Sequence, residues 1–143
     1  MAFRQNRGLK PAAVVLAVCL CACSPKADVE AGSRLVDQFH ADFNAARYAE
    51  IFNGADPEFR KEAKLEDFVK YESLVKTKLG DFQSSQVTNF NVLYLLTHVQ
   101  VRLDYDCVFK LGKAKEVFEL RQGNGKTSMV GYRIDSPLLP PER

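Results

Sequence analysis

The strongest constraint on the fold is a run of alternating apolar and polar residues between Val99 and Leu111. Every odd-numbered position in the run is apolar, and the positions between them are polar or charged except for Val108. Successive side chains of a β-strand point to opposite faces of a sheet. The run therefore predicts one long strand with a buried face and a solvated face. The residues predicted to be buried are Val99, Val101, Leu103, Tyr105, Cys107, Phe109 and Leu111.

Three further segments predict strands beside this one. Residues 81–92 mix apolar residues with Gln, Ser, Thr and Asn, which indicates a more polar strand. A turn at Gly112-Lys113 precedes a strand over 115–121, and Gly123-Asn124-Gly125 is a typical hairpin turn before a last strand over 127–135. The side chains predicted to face inward from the last two strands are Phe118, Leu120, Val130, Tyr132 and Ile134.

Before residue 80 the apolar residues recur at steps of three and four, which is the helical period. The pattern predicts helices over 29–47, 48–53 and 65–79, the last one ended by Gly80. Asp56-Pro57-Glu58 is a helix-start signal that we interpret as a single helical turn, with Phe59 in the core. The predicted fold class is α+β, with three N-terminal helices packed on one face of a curved four-stranded antiparallel sheet.

The N-terminus has the composition of an export signal. Arg4, Arg7 and Lys10 are followed by about 12 small or apolar residues ending at Ala22. A membrane-spanning helix needs about 20 apolar residues, so this run is too short to span. The segment therefore predicts a secretory signal.

The end of this run, Leu20-Cys21-Ala22-Cys23, resembles the lipobox of bacterial lipoproteins. Cys21 departs from the pattern, which usually has Ala, Ser or Thr there. The resemblance implies cleavage between Ala22 and Cys23 and acylation of Cys23, which would anchor the chain to a membrane. Ser24 in place of Asp would favour the outer membrane in enteric bacteria. The alternative is an ordinary signal peptide whose cysteines act as small apolar residues.

The predicted division of the chain is a signal peptide over 1–22, a tether over 23–32, a domain over 33–136 and a tail over 137–143. Cleavage would leave 17 basic and 18 acidic residues, so the charge gives no evidence for nucleic-acid binding. Cys107 would have no second free cysteine to pair with. The sequence contains no metal-ligand spacing of Cys and His and no phosphate-binding loop, so we predict no metal and no cofactor.

The order of helices and strands over residues 30–136 is similar to the nuclear transport factor 2-like (cystatin-like) fold. More specifically, it resembles uncharacterised bacterial lipoprotein families with that fold. The resemblance implies a sheet wrapped around a helix, often with a pocket at the wide end and often dimeric through the sheet face. Enzymes of the superfamily place an Asp/His or Asp/Tyr pair in the pocket, and no local motif here carries over such a pair.

Five residues are candidates for chemistry, and each has a simpler explanation. Asp104 and Asp106 fall on the polar face of the long strand, which predicts a solvated, charge-balanced surface. His98 precedes that strand and is expected in an exposed loop. His40 lies at the edge of the first helix's apolar stripe, where a partly buried, hydrogen-bonded histidine is the more common case. Cys107 is expected in the core, where thiols are inert.

The least ordinary stretch is Leu93-Tyr94-Leu95-Leu96, because apolar residues here occupy a place where a turn between strands should be polar. Either the two strands extend through it into the core, or an apolar tip is exposed. An exposed tip on an anchored protein could contact a partner or the bilayer.

These features favour a non-enzymatic, membrane-tethered binding module facing the periplasm, with an envelope protein or a second copy as its partner and no nucleic acid. The reason is that no charged pair or nucleophile is evident in an apolar context. A second hypothesis is a small-molecule hydrolase or isomerase that uses His40, Tyr71 or Tyr132 in a pocket. A purely structural subunit of an envelope assembly is a third, which the sequence does not separate from the first.

Overall fold

A computed structural model describes residues 24–140 as helices followed by one antiparallel sheet. This confirms the α+β class and the curved four-stranded sheet. The strands neighbour each other in sequence order, β1-β2-β3-β4, as hairpins require. The elements are α1 (Pro25–Asn44), α2 (Tyr48–Gly54), α3 (Pro57–Glu62), α4 (Leu65–Leu79), β1 (Phe82–Tyr94), β2 (Val99–Phe109), β3 (Gly112–Gly123) and β4 (Lys126–Asp135).

The alternation in β2 separates the two faces of the sheet as predicted. The odd positions from Val101 to Phe109 are buried, and the even positions between them are exposed or half-buried. Val99, at the start of the strand, is half-buried and not buried as predicted. Leu111 is an exception, because β2 ends at Phe109 and Leu111 lies in the following turn with 60% of its surface exposed. We call the face that carries the buried odd positions the inner face.

An irregularity in β4 changes which of its residues are buried. The register between β3 and β4 shifts between Glu119 and Leu120, so that Leu120 lies opposite Met129. Met129 is therefore buried and Val130 only half-buried, contrary to the prediction for Val130. A β-bulge of this kind moves side chains to the other face and bends the strand.

Helix α1 runs along the inner face between the two ends of the sheet. At one end, the hydroxyl of Tyr94, the last residue of β1, donates to Asp28 Oδ2 over 2.8 Å. At the other end, the Asn44 side chain bonds the backbone of Phe82, the first residue of β1. We call these the tip end and the far end. Helix α1 begins at Pro25, so most of the segment predicted to be a tether is helical.

Gly32 allows α1 to pack closely against the sheet. A Cβ atom at this position would lie 2.9 Å from Leu120 Cδ1 and 3.1 Å from Leu103 Cδ1, closer than ordinary van der Waals contact. The missing side chain therefore sets the distance between the helix and the strands beneath it.

The described chain has four helices and not the three that we predicted. Residues 57–62 form helix α3, where we expected a single turn. Asp56 accepts a hydrogen bond from the Glu58 backbone N–H and thereby caps the helix, and Pro57 stands at its first position. Phe59 is half-buried against the core, as predicted. No helix among residues 24–140 is long and apolar enough to cross a membrane.

Candidate functional sites

A buried polar cluster lies between the helices and the inner face of the sheet. Its centre is Glu116 on β3, of which 1% is exposed. Glu116 faces inward because it has the same parity as Phe118 and Leu120. Tyr132 Oη donates to Glu116 Oε1 over 2.8 Å, and Cys107 Sγ donates to Oε2 over 2.8 Å. One carboxylate therefore connects β2, β3 and β4 through side chains.

His40 joins the cluster from α1. Its Nε2 atom lies 2.7 Å from Glu116 Oε2, and 3% of the residue is exposed. The imidazole stacks on the Phe82 ring, with centroids 3.6 Å apart and planes 4° from parallel. Its Nδ1 atom is buried and has no hydrogen-bond partner among residues 24–140. His40 is hydrogen-bonded as expected, but it is fully buried and not partly buried.

Glu72 places a second carboxyl group beside the cluster. It lies on the buried stripe of α4 with Phe68, Val75 and Leu79, and its surface is 0% exposed. Neither carboxyl oxygen has a hydrogen-bond partner in the described chain. Burial, and secondarily the nearby charge of Glu116, raises the pKa of Glu72 to about 8. Glu72 is therefore mainly protonated at neutral pH.

The same environment suppresses the reactivity of the Cys107 thiol and the Tyr132 hydroxyl. Burial and the charge of Glu116 raise the pKa of the Cys107 thiol, which keeps it protonated. Burial also raises the pKa of the Tyr132 hydroxyl well above its usual value, and the charges of Glu116 and Glu72 act in the same direction. These groups serve as hydrogen-bond donors to Glu116, and neither is activated as a nucleophile.

Three atoms of the cluster have the chemistry of metal ligands. His40 Nε2, Cys107 Sγ and a Glu116 carboxylate oxygen lie within 4.8 Å of one another. Histidine, thiolate and carboxylate are the ligands that Zn²⁺ uses. In the present geometry, Cys107 and His40 instead bond Glu116 directly, at distances typical of hydrogen bonds.

The structure brings together only some of the residues proposed for an enzyme. His40 and Tyr132 both contact the Glu116 carboxylate, although they are far apart in sequence. Tyr71 is half-buried and lines a shallow cleft on α4, with Lys70 and Leu74 among its neighbours. The sequence predictions missed Glu72 and Glu116. Each interrupts an apolar stripe of its own element, and that interruption was a usable signal.

A second candidate site is the edge of the sheet formed by β1. This strand has no neighbour on its outer side among the described residues. Its 13 residues contain no Asp, Glu, Lys, Arg or Pro. Val87 and Phe90 pair with Tyr105 and Leu103 of β2 and so belong to the inner face, yet 38% and 54% of their surfaces are exposed. The helices therefore leave this part of the inner face uncovered.

The apolar stretch at residues 93–96, which we call the tip, continues this surface. Strand β1 extends through Leu93 and Tyr94, and the Leu95 N–H donates to the His98 carbonyl to close the loop. All four side chains are exposed, and Leu96 is 106% exposed. Of the two alternatives, extension into the core is therefore wrong and the exposed apolar tip is observed, although β1 does extend through Leu93 and Tyr94.

Asp104 and Asp106 form part of a charge-balanced surface, as predicted. Asp104 Oδ1 accepts a hydrogen bond from Arg102 Nε over 3.0 Å, and Asp106 lies within 4.0 Å of Lys115 Nζ on the outer face. His98 lies in the loop as predicted, but it is half-buried and not exposed as we expected; its Nδ1 atom lies 2.9 Å from Thr97 Oγ1, and its Nε2 atom is buried without a partner among residues 24–140. Ala22 and Cys23, the predicted cleavage and acylation residues, lie outside the described residues.

The chain matches no protein-family profile and no curated protein sequence.

Proposed function

We propose that this protein is a bacterial envelope lipoprotein, anchored by acylated Cys23 and facing the periplasm, whose domain is a non-enzymatic interaction module. Within the α+β class, we assign the domain to the nuclear transport factor 2-like cone fold of uncharacterised bacterial lipoprotein families. Helix α1 lying along the inner face of a curved sheet supports that assignment. The observation that carries the function is the uncharged, uncovered edge strand β1.

The anchor rests on the sequence before the domain. Leu20-Cys21-Ala22-Cys23 follows a short apolar run and a basic N-terminus, and Ser24 favours the outer membrane over the inner one. Cys23→Ala should yield a chain that takes up no labelled fatty acid and leaves the membrane fraction or stays unprocessed. Continued lipid labelling of this variant would rule out Cys23 as the acylated residue.

The interaction surface rests on what usually protects an edge strand. Exposed edges present unpaired backbone N–H and C=O groups, and proteins shield them with charges, prolines or covering segments. β1 carries neither charge nor proline. β4, the opposite edge, carries three charged residues, and the Asp56 N–H donates to its Met129 carbonyl over 2.9 Å. An unprotected edge suits binding of an extended segment as an added strand.

We assign the added strand to an envelope protein, with a second copy of this chain as the competing occupant. The test places a photo-crosslinking amino acid at Phe90 in cells that express the lipoprotein. The control position is Lys115, an exposed residue on the outer face of β3. We expect an adduct with one defined protein from position 90 and none from position 115.

Phe90→Lys, combined with a crosslinker at Val87, should abolish this adduct because a charge blocks pairing at the edge. An adduct that contains only this chain would make the partner a second copy. Equal adducts from positions 90 and 115, or none from either position, would contradict binding through β1.

A second candidate function, a small-molecule hydrolase or isomerase, is favoured by the contacts of His40 and Tyr132 with Glu116. A ligand would have to open the interior, because His40 and Glu116 are 3% and 1% exposed. A library of small metabolites screened by thermal shift tests this function. Stabilisation that is lost in His40→Gln but kept in His98→Gln would support it.

A further inference from the structure

The tip lies at the same end of the molecule as Ser24, the first described residue. Tyr94 Oη donates to Asp28 Oδ2, and Gln122 Nε2 donates to the Asp28 carbonyl over 2.7 Å. Asp28 lies one helical turn after Ser24, since its N–H donates to the Ser24 carbonyl. Cys23 precedes Ser24 directly. Consecutive Cα atoms are about 3.8 Å apart, and a helical turn rises about 5 Å. Ser24, the residue that directly follows the proposed lipid carrier, is therefore close to the tip.

We infer that the tip is a second membrane contact, in which Leu95 and Leu96 enter the bilayer that holds the acyl chains of Cys23. This inference rests on the proposed anchor. Exposed leucines at a loop end have no partner within the described chain that would cover them, and Leu96 is fully exposed. An apolar bilayer surface within reach removes these side chains from water.

The residues around the tip suit a membrane interface. Tyr94 can occupy the headgroup level, where tyrosine is enriched because its ring is apolar and its hydroxyl polar. Lys26 in the first turn of α1, whose Nζ lies 3.9 Å from Glu30, and Lys126, the first residue of β4, are exposed at this end, and cations there attract anionic headgroups. Gly123, the last residue of β3, lies against the loop that holds His98. A Cβ atom at position 123 would be 3.5 Å from His98 Cβ.

The anchor also explains how so small a contact can persist. Two leucines alone bind a membrane only weakly. Once the lipid holds the chain on the same surface, insertion of the tip becomes an intramolecular step with a high effective concentration. The consequence is orientation: the long axis of the sheet stands away from the membrane, and the far end points into the periplasm.

The test uses the full, lipid-modified protein in vesicles of phosphatidylethanolamine and phosphatidylglycerol. An environment-sensitive dye is attached to Leu96→Cys, or to Leu111→Cys as the matched control. Leu111 is also an exposed leucine in a hairpin turn, but it lies at the far end of β2. The 11 residues of β2 separate the two positions by roughly 35 Å.

We expect a blue shift and roughly a twofold rise in emission for the dye at position 96, together with quenching by nitroxide-labelled acyl chains. The dye at position 111 should remain in water. Leu95→Cys provides a second labelling position at the tip, and an unchanged unfolding midpoint verifies that each variant is folded.

The outcomes separate this inference from the proposed anchor. If the protein floats with the vesicles and both dyes report water, the anchor stands and the membrane contact of the tip is refuted. If the protein does not float and takes up no fatty acid, the anchor itself fails, and the inference fails with it. Quenching at position 96 only, in floating protein, supports both.

Discussion

The cluster around Glu116 and the β1 edge with its tip are opposite exceptions to the usual distribution of residues. The first places two carboxyl groups, an imidazole, a thiol and a phenol in the interior. The second places Phe90 and four residues of the tip on the surface. Buried polar groups and exposed apolar patches are the two observations that require an explanation in a folded domain.

The two regions differ in where their partners are. Tyr132, Cys107 and His40 all contact the Glu116 carboxylate within the domain, whereas His40 Nδ1 and both Glu72 oxygens have no hydrogen-bond partner among residues 24–140. In the β1 edge and the tip, Phe90, Leu95 and Leu96 are exposed, and no strand among residues 24–140 pairs with the outer side of β1. On the proposed function, the interior cluster serves folding and the surface region serves binding. Mutations in each should affect one property and leave the other unchanged.

The largest effect should come from removing the centre of the cluster. Glu116→Ala leaves the His40, Cys107 and Tyr132 groups buried without their acceptor, which typically costs about 3–5 kcal/mol for a buried charged partner. Chemical unfolding measures the loss. Glu119→Ala is the matched control, because Glu119 lies on the exposed face of the same strand. Comparable losses for both variants would show that the cluster has no special role in stability.

The second effect is a pH dependence of the free energy of unfolding, caused by Glu72. Its pKa is about 8 in the folded protein and near 4.5 when unfolded. Between these values the native state binds more protons than the unfolded state, so stability falls as pH rises. The stabilisation that Glu72 contributes is complete below about pH 4.5 and disappears as the pH rises from there through about 8. A shift of this size corresponds to roughly 3–5 kcal/mol.

Glu72→Gln tests this prediction because the amide does not titrate. Its free energy of unfolding, measured in EDTA, should change less between pH 5 and pH 8 than that of the wild type. Glu66→Gln, in the first turn of the same helix, should retain the wild-type pH profile. Identical profiles for wild type and Glu72→Gln would mean that Glu72 ionises freely in the folded state.

The sequence predicted the sheet well because its signals are local. The alternation in β2 and the glycine turns determined the four strands, their order and most of their buried residues. The predicted burial of Val130 was wrong, because a bulge depends on how two strands pair and not on either strand alone. Helix α3 was underestimated for a similar reason: its cap was recognised, but six residues carry little helical periodicity.

The candidate sites were only partly predictable. Glu72 and Glu116 were missed because a charged residue in an apolar stripe is read as an interruption. Here it marks a pair of buried carboxyl groups brought together by tertiary packing. The tip was identified from its composition, but whether its side chains were buried depended on whether a helix covers β1. Helix α1 begins beside Tyr94 and leaves Leu95 and Leu96 outside the core.

The smallest expected change in stability is also the sharpest test of the comparison. Leu95 is 42% exposed, and its backbone N–H, not its side chain, closes the loop with His98. Leu95→Asp should therefore alter the free energy of unfolding by less than about 0.5 kcal/mol. In the lipid-modified protein it should nevertheless abolish the quenching at position 96 by nitroxide lipids, because a carboxylate resists transfer into the bilayer.

Leu111→Asp provides the control for this variant, since it introduces the same charge in an exposed turn at the far end. It should change neither the unfolding midpoint nor the quenching at position 96. A large loss of stability in Leu95→Asp would instead place Leu95 in the packed core. The surface region would then belong to folding, as the Glu116 cluster does, and the distinction between the two regions would be lost.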